Sequence, residues 1–199
     1  MPNDATVSDL LALRDRVAEL EAQVEAARRS PPPGTEELYQ GDDNYVVKLS
    51  FDAAATKSGL LYGERTRYTA SISPTWDEIF AAVAPAMINE TSQSSLKKAF
   101  VEFFEREVRE AFEGKGDLKG KVIGNMKFRD DQIETCIIQL RALGLIRENQ
   151  RKRSVHDKGT YWTLTPFGDQ RMVQLGALRR DAPVRAKDAS HQEATDAAT

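Results

Sequence analysis

Apolar residues recur at two different periods along this chain, and the switches between them mark its elements. From residue 8 to 29, Leu10, Leu13, Val17, Leu20 and Val24 fall at alternating spacings of three and four. That is the a/d seam of a coiled coil, with Arg14, Arg16, Glu19, Glu21 and Glu25 on the other faces. Ser8 is placed to cap the start, and Pro31-Pro32-Pro33-Gly34 ends the helix. A helix of two to three heptads is marginal alone. The seam therefore needs a cover, either a second copy of the chain or the protein's own core.

The period then shortens to two. In residues 44–52, Tyr45, Val47, Leu49 and Phe51 alternate with Lys48 and Ser50, the mark of a half-buried strand. After the connection AAATKSG, LLYGERTRYTASI reads as its antiparallel mate. At Thr75 the pattern turns helical. Thr75 with Glu78 forms a capping box before WDEIFAAVAPAMI, which Pro85 bends or ends. NETSQSS caps a longer helix, LKKAFVEFFEREVREAF, with Leu96, Phe100, Phe103, Phe104 and Val108 on its buried side. GKGDLKGK is a flexible connection and VIGNMKF a short strand or turn. Asp130 is a plausible cap for a helix over 130–143, with Ile133, Ile137 and Leu140 on one face and Cys136 beside them as a structural thiol. Gly144 stops that helix in a left-handed conformation. Leu145-Ile146 and Thr160–Thr165 form a two-stranded ribbon, and Pro166-Phe167-Gly168 starts a last amphipathic helix. From Asp181 on, the chain has little to bury and reads as disordered.

These elements predict an α+β protein: an amino-terminal coiled-coil helix (8–29), a Pro/Gly linker (30–43), a small antiparallel hairpin plus a helical pair (44–118), and a carboxyl-terminal winged-helix-like module (119–180). A tail (181–199) completes the chain.

Charge sharpens the picture. Residues 1–118 hold 13 Lys/Arg against 21 Asp/Glu, a balance of −8, whereas residues 119–180 hold 13 against 6, a balance of +7. A basic module on an acidic remainder suggests an anionic partner at that end. The simpler alternative is a solvated face. No apolar run approaches a membrane span, the acidic start is no secretory signal, and one cysteine provides no disulfide framework. A reducing cytoplasm is the expected location, with no membrane partner.

The string QLRALGLIRENQRKRSVHDKGTYWTLTPFGDQRM, with PPPGTEELYQGDD and TWDEIFAAVAPAM, resembles the carboxyl-terminal region of a bacterial protein family of unknown function. The resemblance covers roughly residues 8–180. Members of that family carry an amino-terminal domain with a TIR- or Rossmann-like fold, and such domain partners imply a role in bacterial conflict or defence by association. This chain has no such amino-terminal domain and reads as a stand-alone relative or a fragment of a longer protein. No activity of the missing domain transfers to it.

Double-stranded DNA is the expected partner. The ribbon offers Arg147, Arg151, Lys152, Arg153, His156 and Lys158 to phosphates, which fix position rather than sequence. The 130–143 helix offers Gln132, Thr135, Gln139 and Arg141 to base edges, although Asp131 and Glu134 on that helix oppose a close approach. Leu10, Leu13, Val17, Leu20 and Val24 are the dimerisation residues if the partner is a second copy. The alternative function is a protein–protein or oligomerisation module that regulates a separate effector. An enzyme is not expected. His156 and His191 are the only histidines, no Cys/His pair has metal-ligand spacing, and no Gly-rich loop follows a strand. No catalytic residue, metal or cofactor is expected.

Overall fold

The computed structural model describes residues 4–151, 154 and 157–178. Lys152, Arg153, His156 and the tail from 181 on lie outside the described residues. The molecule is a mixed α/β protein with six helices and two small antiparallel sheets among those residues.

Helix α1 spans Asp4–Arg28, so it starts earlier than Ser8, which lies inside it. The sequence of residues 4–8 holds neither proline nor glycine, so nothing stops the helix at Ser8. From Ser8 to Arg28 every residue of α1 is exposed, the apolar seam included.

The first sheet has three strands where the alternation predicts two. Strand β1 (Val47–Ala54) pairs antiparallel with β2 (Thr66–Ile72) on one side and with β4 (Val122–Phe128) on the other. Val47, Leu49 and Phe51 face the core as their period demands. The predicted second strand is shorter than LLYGERTRYTASI. Its first residues form helix α2 (Lys57–Tyr62), because the Thr56 hydroxyl accepts from Gly59 N and caps a turn there. VIGNMKF, assigned by sequence to the basic module, is β4, the third strand of this sheet. A bulge between Ser50 and Asp52 sits opposite Asn125, which adopts a left-handed φ of 50°.

That bulge surrounds a charge hub. The Asp52 carboxylate is buried at 2 % exposure. Arg67 donates to both its oxygens (2.8 and 3.1 Å), Asn125 Nδ2 donates at 3.2 Å, and Arg65 Nε lies 3.3 Å away. Asn125 and Arg65 also donate to Leu60 O, which ties α2 to the sheet. Hydrogen bonds from Arg67 lead the effects that hold the Asp52 carboxyl below its ordinary range.

Helix α3 (Trp76–Val83) carries the expected capping box: Glu78 N donates to Thr75 Oγ1, and Thr75 N donates back to Glu78. Pro85 converts its end into a 3-10 turn over Ala84–Met87. Strand β3 (Thr91–Ser92) leads into α4 (Gln93–Phe112), capped by Ser92, which accepts from Ser95 N. Phe100, Phe103 and Phe104 on α4 pack together, and Phe104 reaches Phe128 of β4 at 5.7 Å between ring centroids. Helix α5 (Asp130–Ala142) follows β4. Its N-cap is Arg129 rather than Asp130, because the Asp131 carboxylate takes the Arg129 guanidinium and leaves Asp130 in the first turn. Strands β5 (Ile146–Glu148) and β6 (Tyr161–Leu164) form the predicted ribbon, and β3 adds a third strand in the order β3-β6-β5. Helix α6 (Pro166–Gly176) is capped by Thr165. One apolar cluster runs from Val47 on β1 through α3, α4 and α5 to Leu164 on β6, so the two sheets share a core.

Candidate nucleic-acid interface

Gly144 sets the direction in which the chain leaves α5. Its φ of 69° places it in the left-handed region, and Gly144 N donates to Arg141 O while Leu145 N donates to Leu140 O. This pair of bonds is the Schellman closure of a helix end. The chain reverses and Ile146 enters the ribbon opposite Leu164. Arg147 then stands opposite Thr163 on the outer side, while Ile146, Trp162 and Leu164 are buried. At the far end Asn149 N donates to Tyr161 O, prolonging the ladder. The Asn149 amide donates to Glu90 at 2.6 Å and its oxygen accepts from Arg151 N, so the first turn of the tip is held. On the return, Asp157 accepts from Gly159 N and from the Tyr161 hydroxyl.

This geometry gathers three of the predicted contacts. Arg141, in the last turn of α5, lies with its guanidinium 6.0 Å from the Trp162 ring centroid. Together with Arg147 and Arg151 it lines an open groove of about 380 Å³, which Glu148, Asn149 and Gln150 complete. Among the described residues none of the three arginines has a carboxylate within ion-pair distance. Lys158 is exposed further along the ribbon tip.

The other predicted contacts are engaged within the chain. Gln132 faces β1. With its amide oriented to satisfy both partners, it donates to Lys48 O (2.7 Å) and accepts from Lys48 N (2.8 Å). Gln139 Nε2 donates to Tyr39 O at 2.6 Å, and Thr135 donates to Asp131 O inside its own helix at 2.8 Å. The segment that occupies this side of α5 is the predicted linker. Pro32 packs on Gly144, Thr35 is buried, and Tyr45 donates to Gln132 O at 3.2 Å and lies tilted against Trp76 with ring centroids 5.0 Å apart. Burial, first of all, raises the Tyr45 phenol above its ordinary pKa. Residues 31–46 are therefore a strap laid across α5. What α5 leaves exposed is mostly acidic or apolar: Asp131 paired to Arg129, Glu134 paired to Lys97 (2.9 Å), and Ile138 at 66 % exposure.

Reading the residues alone missed Asn149 and Gln150 as groove-lining groups. It also missed the outer face of the first sheet, where Lys48, Ser50, Thr69, Ser71, Lys127 and Arg129 line a shallow depression of about 580 Å³. The alternation of Lys48 and Ser50 with core residues was the available signal for that face. Among the described residues no helix is long and apolar enough to cross a membrane, and no three His, Cys, Asp or Glu cluster to hold a metal. Burial pushes the Cys136 thiol up to about 12, against the thiolate that a nucleophile or metal ligand would need. No protein family, no curated protein and no solved structure matches the chain.

Proposed function

We propose that the protein binds double-stranded DNA through phosphate contacts made by the β5–β6 ribbon, with little base reading by α5. The observation that carries this reading is the groove of Arg141, Arg147 and Arg151 at the ribbon base. The +7 balance belongs to residues 119–180 as a stretch of sequence, and Lys119, Lys121, Lys127 and Arg129 of that count lie in or beside β4 of the first sheet. The order α3, β3, α4, β4, α5, β5, β6, with strands β3-β6-β5 in one sheet and β4 inserted into the other, supports a winged-helix-like arrangement, in which the ribbon is a wing. Arginine in a polar groove suits the flat, bidentate recognition of phosphate. Base contacts from Gln132 and Gln139 would require the strap and β1 to release them.

The test is fluorescence anisotropy of two unrelated labelled duplexes across a salt series. Contacts from three arginines and Lys158 set a log–log salt slope of about −3 to −4, from roughly −0.9 per neutralised phosphate. Changing Arg141, Arg147 and Arg151 to Ala flattens the slope by about 3. The two duplexes bind within a few-fold of each other, and Gln139→Ala leaves their ratio unchanged. Salt-insensitive or absent binding at low salt removes the reading.

A second reading rests on Ile138. Its exposure between Glu134 and Arg141 on α5 suits an apolar contact with a polar rim, as a protein-docking surface on a separate effector requires. Ile138→Glu leaves duplex binding intact and abolishes capture of such a partner.

A further inference from the structure

Helix α1 presents an apolar seam that nothing among the described residues buries. Leu10, Leu13, Val17, Leu20 and Val24 are 43–63 % exposed. They run along one side of a helix whose residues 10–27 span about 26 Å at 1.5 Å per residue. None of them belongs to the core cluster. The spacing fixes the heptad positions: Leu10, Val17 and Val24 at a, with Leu13, Leu20 and Ala27 at d. Two of the three a residues are valine and two of the three d residues are leucine, and β-branched residues at a with leucine at d favour two strands in a parallel coiled coil.

The flanking charges specify the orientation. Asp9, Arg16 and Gln23 occupy g, and Arg14, Glu21 and Arg28 occupy e. In a parallel, in-register pair each g residue faces the e residue five positions on in the other helix. Asp9 then meets the second copy's Arg14, and Arg16 meets the second copy's Glu21, each contact occurring twice by symmetry. An antiparallel pair sets e beside e and g beside g, and leaves these complements unused. Within one chain Arg16 contacts Glu19 at 2.6 Å, but both side chains are more than half exposed and the pair is readily exchanged for another.

We propose that α1 joins two copies of this chain as a parallel, in-register, two-stranded coiled coil. The carrying observation is the exposed a/d seam with opposite charges at each g-to-e position of its first two heptads. The inference stands apart from duplex binding and does not depend on it.

The test uses the full chain. Sedimentation equilibrium gives a dimer in the micromolar range, and Leu13→Glu with Leu20→Glu gives a monomer whose urea midpoint matches that of the parent core. A parent that stays monomeric, a trimer, or a double variant that still dimerises overturns the proposal. Orientation is read from Arg16→Glu and Glu21→Arg. Each alone sets two like-charge pairs in a homodimer and weakens it about tenfold. Mixed, they restore both attractive pairs. Native mass spectrometry then shows the heterodimer in excess of the statistical proportion. A statistical mixture overturns the parallel register.

Discussion

Gly144→Ala tests the link between the strap and the basic module, and its magnitude separates into two parts. The first is conformational. At φ 69° an L-residue pays steric strain of about 1–2 kcal/mol that glycine does not. The second is a collision. A Cβ on residue 144 would stand 2.5 Å from both Cγ and Cδ of Pro32. The proline ring cannot fold away, and its carbonyl is held by the Thr35 hydroxyl at 2.9 Å. Overpacking of this kind costs about 1–3 kcal/mol. The single variant therefore loses about 2–5 kcal/mol. Pro32→Ala removes Cγ and Cδ, and alone it changes stability by no more than about 1 kcal/mol, chiefly through the unfolded chain. In the double variant the collision disappears and only the conformational strain remains. Urea denaturation, followed by the fluorescence of buried Trp76 and Trp162, measures all four corners of the cycle. The expected coupling is about 1–3 kcal/mol in the direction of rescue. Strict additivity would show that the strap does not lie on Gly144. A loss under about 0.5 kcal/mol for Gly144→Ala would refute the left-handed helix end itself.

Three further outcomes follow from the same geometry. Gly168→Ala places a Cβ 1.9 Å from Leu145 O, where the first turn of α6 meets the start of the ribbon, and it lowers stability by at least about 3 kcal/mol in urea; near-parental stability refutes that backbone contact. Asp52 gives up its proton more readily folded than unfolded, so its ion pairs contribute fully at neutral pH, start to weaken near pH ~4, and are lost as pH falls through the lowered folded value. Asp52→Asn removes that acid-limb dependence and costs about 1–3 kcal/mol at neutral pH; an unchanged stability-versus-pH curve counts against the hub. Cys136 is fully buried on α5, so it resists thiol reagents at mildly alkaline pH and reacts completely in denaturant; rapid labelling of the native protein would show that α5 opens.

Much of the local structure is legible because short-range physics writes it into neighbouring residues. The Thr75–Glu78 capping box, the stop at Gly144, the Pro85 break and the alternation of Val47, Leu49 and Phe51 each need only a few positions to be recognised. The a/d seam of α1 is equally local, since heptad spacing is a property of one helix. What the sequence by itself determined was thus the identity and order of most elements, the positive balance of residues 119–180, and Arg147 and Arg151 as exposed cations of the ribbon, whereas the structure added Arg141 of α5 to their groove.

The tertiary structure decided where those elements meet. VIGNMKF has no strong alternation, and only its pairing with β1 makes it a sheet strand. Asp52 and Arg67 lie 15 positions apart and Asn125 is 73 positions from Asp52, so no local pattern announces their hub. The strap is the clearest case. Proline and glycine in residues 31–34 mark the end of a helix, but their spacing carries no trace of the surface they settle on. Gln139 accordingly reads as an available polar group on an exposed helical face, and only the fold brings Tyr39 O, 100 positions earlier, within reach of its amide. Hydrogen-bonding capacity is set by residue type, whereas the partner is set by long-range packing. That is why the ribbon arginines could be named from sequence as exposed cations, and why the engagement of the α5 glutamines could not.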